Sequence, residues 1–81
     1  MRIDKFLKIS RILKRRTLGK EACEGGRVSV NEKEVKPSYN LKVGDVVSIR
    51  FATKEIKFKV ENLKENVKKD EAQTLYTIIE E

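Results

Sequence analysis

Apolar and polar positions along the chain change period once. Ile3, Phe6, Leu7, Ser10 and Leu13 recur at spacings of three and four, the signature of one helical face. Lys5, Lys8 and Arg11 fall on the opposite side, and Ile12 lies off the stripe, so a first helix is expected to fray near that position. Lys14-Arg15-Arg16 reads as a basic turn. Thr17 is placed to cap a second helix through its hydroxyl, and Leu18 and Ala22 give that helix a short buried face. Gly25-Gly26 supplies its stop, because glycine enters the left-handed conformation without a steric penalty.

Beyond residue 26 the period is two. Val28 and Val30 alternate with polar neighbours, Asn31-Glu32-Lys33 turns the chain, and Glu34-Val35 returns. Pro37 breaks any ladder, so residues 36–40 form a loop, and Val43-Gly44-Asp45 is a further turn. Residues 46–51 alternate again, and residues 52–55 turn the chain. Ile56, Phe58 and Val60 then face one way, with Lys57 and Lys59 facing the other. The charged stretch 64–72 is a loop or a single helical turn, and residues 75–79 form a closing strand. The pattern is therefore α+β: two N-terminal helices followed by a small antiparallel sheet.

Length narrows the picture. Eighty-one residues form one small domain, spanning 1–81, whose core is too thin to enclose a substrate cavity. There is no histidine, and the lone Cys23 makes neither an internal disulfide nor a cysteine zinc cluster. Cys23 is expected to be a small packed thiol, in keeping with a reducing compartment such as the cytoplasm. Glu32 and Glu34 read as solvated charges. Gly25-Gly26 precedes a strand, the reverse of a phosphate-binding loop. No enzymatic activity, metal or cofactor is expected. No apolar stretch is long enough for a secretory signal or a membrane span. A mitochondrial presequence is disfavoured, because its removal would leave an even smaller core.

Charge changes the picture most. The formal net charge is +6, yet residues 1–20 hold eight bases against one acid, a local +7. Residues 21–81 hold eleven bases and twelve acids. Such asymmetry points to nucleic acid or an anionic membrane surface. Lys8 and Arg11 are expected to project from the first helix, while Arg15 and Arg16 precede the second. There the helix N-terminus and the Thr17 hydroxyl would favour a phosphate. Arginine binds phosphate bidentately where lysine cannot. Phe6 belongs to the apolar stripe, so base stacking is not the expected mode, and structured RNA is favoured over a single strand. A DNA-binding helix pair would carry a similar charge pattern. A free membrane-surface helix fits less well, since the first helix needs its apolar stripe for its own domain.

Several strings occur in one order: Arg2-Ile3-Asp4-Lys5-Phe6-Leu7, Ser10-Arg11, residues 14–18, residues 26–31, Lys36-Pro37-Ser38 and Val43-Gly44-Asp45. In this the chain resembles the S4 RNA-binding domain family over about residues 1–50, with residues 51–81 as C-terminal strands. Residues 14–18 and the compact tail are similar to a narrower group, the small heat-shock-type ribosome-binding proteins and the RqcP family of bacterial ribosome quality-control factors. The likeness to the latter runs over essentially all 81 residues. It implies the alpha-L motif fold and an RNA-facing set at Arg2, Asp4, Lys5, Lys8, Arg11, Arg15, Arg16 and Thr17. Asp4 would orient an arginine or interact with the first helix's N-terminus.

The same resemblance implies binding to obstructed large ribosomal subunits through rRNA and peptidyl-tRNA, in support of alanine tailing by the partner RqcH. A monomer without catalytic activity is expected. Heat-shock-type recycling, or another rRNA-binding accessory role, is the alternative. Relatives of that kind often carry a longer basic C-terminal extension, whereas residues 61–81 hold three bases and six acids. The same fold also precedes RNA-modifying catalytic domains, and none is expected here. Two positions depart from the family pattern. Gly19 stands where alanine is common, and Glu32 stands where glycine commonly follows the turn asparagine, leaving the turn type open.

Overall fold

A computed structural model describes residues 1–13, 16–51 and 54–79, with the backbone alone at residues 16–18. Two helices, α1 (Ile3–Ile9) and α2 (Arg16–Glu24), pack together and precede five strands. The strands are β1 (Val28–Val30), β2 (Lys33–Glu34), β3 (Val46–Arg50), β4 (Glu55–Val60) and β5 (Tyr76–Ile78). They form one antiparallel sheet in the order β2-β1-β3-β4-β5. A 3-10 helix, Lys69–Leu75, leads into β5. The architecture is the expected α+β arrangement, with that 3-10 helix extending past residue 72 and leaving β5 shorter than the expected closing strand.

One sheet face forms the core. Val28 and Val30 of β1, Val47 and Ile49 of β3, and Phe58 and Val60 of β4 are buried against Ile3, Phe6 and Leu7 of α1. Registers Val28↔Ile49, Val30↔Val47 and Val47↔Phe58 align these side chains on one side of the pleat. Phe58 is the centre of the cluster. Its ring stacks on Phe6 at a centroid distance of 6.1 Å and meets Tyr76 edge-on at 5.6 Å. Fully burying side chains of this size contributes about 1.5–3 kcal/mol each.

α1 ends earlier than its apolar stripe. Ser10 is its C-terminal cap, and Arg11 adopts a left-handed φ of 61°. The Arg11 N–H donates to the Lys8 carbonyl, and the Leu13 N–H returns to the Leu7 carbonyl at 3.1 Å. Leu13 thus reaches the core by a chain reversal, not by further helix. Arg11 consequently projects from this turn and not from α1, a correction to the sequence expectation. α2 begins at Arg16, so Thr17 lies inside its first turn and not at the cap. Gly26, at φ 70°, closes α2 as expected, and the Arg27 N–H bonds the Ala22 carbonyl. Lys14, Arg15, Ala52 and Thr53 lie outside the described residues.

The two departures resolve differently. A Cβ on Gly19 would stand 3.4 Å from the Asp4 carbonyl oxygen and from a Leu7 methyl, so the close α1–α2 contact has room for alanine. Asn31 and Glu32 both take positive φ, 50° and 71°, between the paired Val30 and Lys33. This is a type I′ hairpin turn, which prefers Asn-Gly. The Asn31 amide compensates: its Nδ2 donates to Asp45 Oδ1, and its Oδ1 accepts the Val46 N–H at 3.1 Å.

Candidate nucleic-acid interface

The site is built around α1. Seven residues give a helix only about 10 Å long, so its position depends on its neighbours. Pro37 forces residues 36–40 into a loop that runs back to the start of α1. The Ile3 N–H donates to the Tyr39 carbonyl at 2.8 Å, and the Asp4 N–H to the Pro37 carbonyl at 3.3 Å. Arg2 bridges Asn40, and the Leu41 N–H reaches the Met1 carbonyl. Two of α1's leading amides are thereby satisfied within the protein.

Asp4 is buried between these elements. Its Oδ2 accepts a hydrogen bond from Arg2 Nη2 at 3.1 Å, and its Oδ1 accepts the Lys5 N–H at 2.8 Å. The carboxylate thus contacts both an arginine and a backbone amide at the start of α1. The carboxylate is 3% exposed while the Arg2 side chain keeps 47%. Asp4 thus acts from behind, steering a guanidinium that still reaches solvent.

Arg2 shares an open cleft of about 440 Å³ with Lys20, Lys36 and Ser38, and with Cys23 and Glu24. Lys20 and Lys36 were not among the residues the sequence singled out. The Lys36-Pro37-Ser38 string carried the signal, since a proline-stiffened loop beside the basic segment has to pack somewhere. Burial pushes the Cys23 thiol up to about 11, with the negative charges of Asp4 and Glu24 adding to the effect. The thiol stays protonated and packed, as expected.

A second cleft, of about 290 Å³, lies at the other end of α1. Lys8 and Arg11 line it with Ile9, Leu13 and Val67. Lys5 lies between the two ends and pairs with Glu65 at 3.1 Å. The structure thus gathers Arg2, Asp4, Lys5, Lys8 and Arg11 around one short helix. Arg16 and Thr17 enter as the first residues of α2, with side chains outside the described set, and Arg15 lies outside it altogether. Exposed cations at both ends of α1 and a hydroxyl at Ser38 make this a surface suited to anionic oxygen ligands.

A two-helix start, a proline loop closing on the first helix and a basic surface around it define a class. Residues 1–47 match the S4 domain family model, and the chain belongs to that family. It is 52% identical, over all 81 residues and 88% of the relative, to a Listeria monocytogenes protein named RQC P-site tRNA stabilizing factor. A Bacillus subtilis protein of the same name is 48% identical over the whole chain and 94% of its own length. Among solved structures, a trimeric structure of Vibrio cholerae heat shock protein 15 superposes with a TM-score of 0.88 at 31% identity. That match covers 98% of this chain and 81% of the other.

Proposed function

We propose that this protein is a single-domain RNA-binding factor of ribosome-associated quality control. It binds obstructed large ribosomal subunits through rRNA and peptidyl-tRNA, and it stabilises the P-site tRNA while RqcH adds alanines to the stalled chain. The observation that carries this reading is the pairing of whole-length identity to P-site tRNA stabilizing factors with the cations clustered about α1. The RNA contacts are assigned to Arg2, Lys5, Lys8, Arg11, Arg15, Arg16 and Thr17, with Asp4 orienting Arg2. Lys20, Lys36 and Ser38 extend the surface.

The mechanism is differential binding, not bond making. A factor shifts an equilibrium only by its unequal affinity for two states. A preference of about 3 kcal/mol for one tRNA position would change the populations more than a hundredfold. Phosphate contacts release counterions, so affinity is salt dependent; about five contacts give a log–log slope on the order of −3 to −5. The protein works in the cytoplasm, where ribosomes are. It acts as a monomer, a reading supported by apolar packing that closes within one chain. Among the described residues only Tyr39, Val43 and Ile78 are large exposed hydrophobics.

Co-sedimentation with purified large subunits, with and without peptidyl-tRNA, over a range of salt concentrations tests this. The reading expects tighter binding to tRNA-bearing particles and a steep salt slope. Equal binding to both particles would favour the recycling role instead, and a flat salt response would reject the phosphate-binding surface.

A further inference from the structure

The basic face contains an acid from the far end of the chain. Lys5 Nζ lies 3.1 Å from Glu65 Oε1, although the two residues are far apart in sequence. The contact forms because the segment after β4 folds back along α1. Leu63 and Val67 pack against the core as anchors on either side, and the chain bends at residues 65–66 between them. Val67 also lines the cleft that holds Lys8 and Arg11. Glu65 is thereby set into the RNA-facing surface and not on a remote edge.

Resting on the RNA-binding reading above, we propose that Glu65 is a specificity-determining residue, an internal stand-in for a phosphate at Lys5. In the free protein its carboxylate occupies Lys5; on binding, an RNA phosphate takes that place. The side chains are 38% and 59% exposed, so water and salt screen the pair and it is weak enough to exchange. An incoming anion must first break this pair, so a lone anion at Lys5 gains little from the exchange. An RNA held at the same time by Arg2, Lys8 and Arg11 offsets that cost through its other contacts. Glu65 therefore disfavours partial, nonspecific engagement by competing for Lys5, an opposing element of the kind specificity commonly requires.

This has an unusual consequence: removing a charge from the tail should strengthen RNA binding, and only through Lys5. The experiment measures affinities of wild type, Glu65→Gln, Glu32→Gln, Lys5→Met and the Lys5→Met/Glu65→Gln double variant. The probes are purified large subunits and a mixed-sequence RNA duplex, each over a salt series. Glu32 lies exposed at the hairpin tip, so Glu32→Gln makes the same change in net charge elsewhere.

The expectation is a two- to fivefold gain for Glu65→Gln, roughly what an exposed ion pair is worth. Its salt slope should steepen by up to about one. The gain should be proportionally larger on the duplex, and Glu32→Gln should match wild type. The double variant should bind no better than Lys5→Met. Equal gains for Glu65→Gln and Glu32→Gln would overturn the proposal, since net charge alone would then account for them. So would a Glu65→Gln gain that persists without Lys5. If wild type binds the duplex as tightly as large subunits, the ribosomal reading fails, while the Lys5-dependence of the gain still decides the exchange.

Discussion

In the sheet, burial and local sequence agree. Val28, Val47, Phe58 and Val60 are completely covered, and their period-two spacing is what places them on one face. Around α1 the terms are different. Ile3, Phe6 and Leu7 are also completely covered, yet a seven-residue helix is far too short to persist alone. It is held by the sheet beneath it and by the Pro37–Tyr39 carbonyls at its start. The cations it displays are exposed and add little to stability. The comparison teaches that the sheet carries the folding energy, while the helical face borrows that rigidity to fix charges in space.

The largest effect should come from breaking the side that carries stability. Phe58→Ala removes the ring that contacts both Phe6 and Tyr76, at a cost of about 3–5 kcal/mol. Chemical denaturation should show a domain close to unfolding, and RNA binding should fall with it. Near-native stability would mean that the sheet core is not the anchor of α1.

Next comes the converse experiment on the charged side. Lys8→Ala and Arg11→Gly remove cations at the end of α1, each expected to weaken RNA binding by about 1.5–3 kcal/mol, the range for hydrogen bonds to charged groups. Arg11 has a left-handed backbone that glycine adopts freely, so Arg11→Gly should keep stability or raise it by up to about 1 kcal/mol. Loss of affinity together with loss of stability would erase the separation between the two regions.

Cys23 probes the seam between them. Its folded thiol ionises near 11 against an ordinary value of 9.0. Below about pH 9 both folded and unfolded thiols are protonated and its contribution is complete. Between 9 and 11 the unfolded thiol ionises first, so stability is lost as pH rises. By pH 10 the loss should be about 1 kcal/mol relative to a Cys23→Ala reference in urea denaturation. Identical pH profiles would show that solvent reaches the seam.

The smallest effect belongs to the hairpin. Glu32→Gly relieves a left-handed glutamate at φ 71° and should stabilise the sheet by about 0.5–1 kcal/mol without altering RNA affinity. The check is a thermal melt alongside a binding titration. A change in affinity would bring the β1–β2 hairpin into the binding surface.

What the sequence made legible follows the same division. Strands declare themselves through alternation, and the inward positions Val28 and Val30 of β1 were readable from it. The end of α1 was not, because Leu13 continues the helical spacing while arriving by a turn. Arg11 takes the conformation that glycine or asparagine usually advertises. The turn at Asn31-Glu32 was marked, but its type was not, since its support comes from Asp45, fourteen residues away. The charged stretch from 64 lacked any period that would announce a 3-10 helix at Lys69–Leu75. For the site, charge asymmetry pointed to residues 1–20, and the fold gathers Arg2, Asp4, Lys5, Lys8 and Arg11 of that segment around α1. Lys20 and Glu65 join that surface only through folding, so no local pattern exposed them, whereas Lys36 was marked only by the proline string it begins.

The most direct test of the central claim maps where RNA touches the protein. The measurement is ultraviolet cross-linking of the intact chain to large subunits bearing peptidyl-tRNA, with the modified residues identified by mass spectrometry. Cross-links are expected at residues 2–20 and 36–38 and in the segment around Glu65, with none on β3 or β4. Cross-links concentrated on the outward side of the sheet, at Ser48, Lys57 and Lys59, would contradict it.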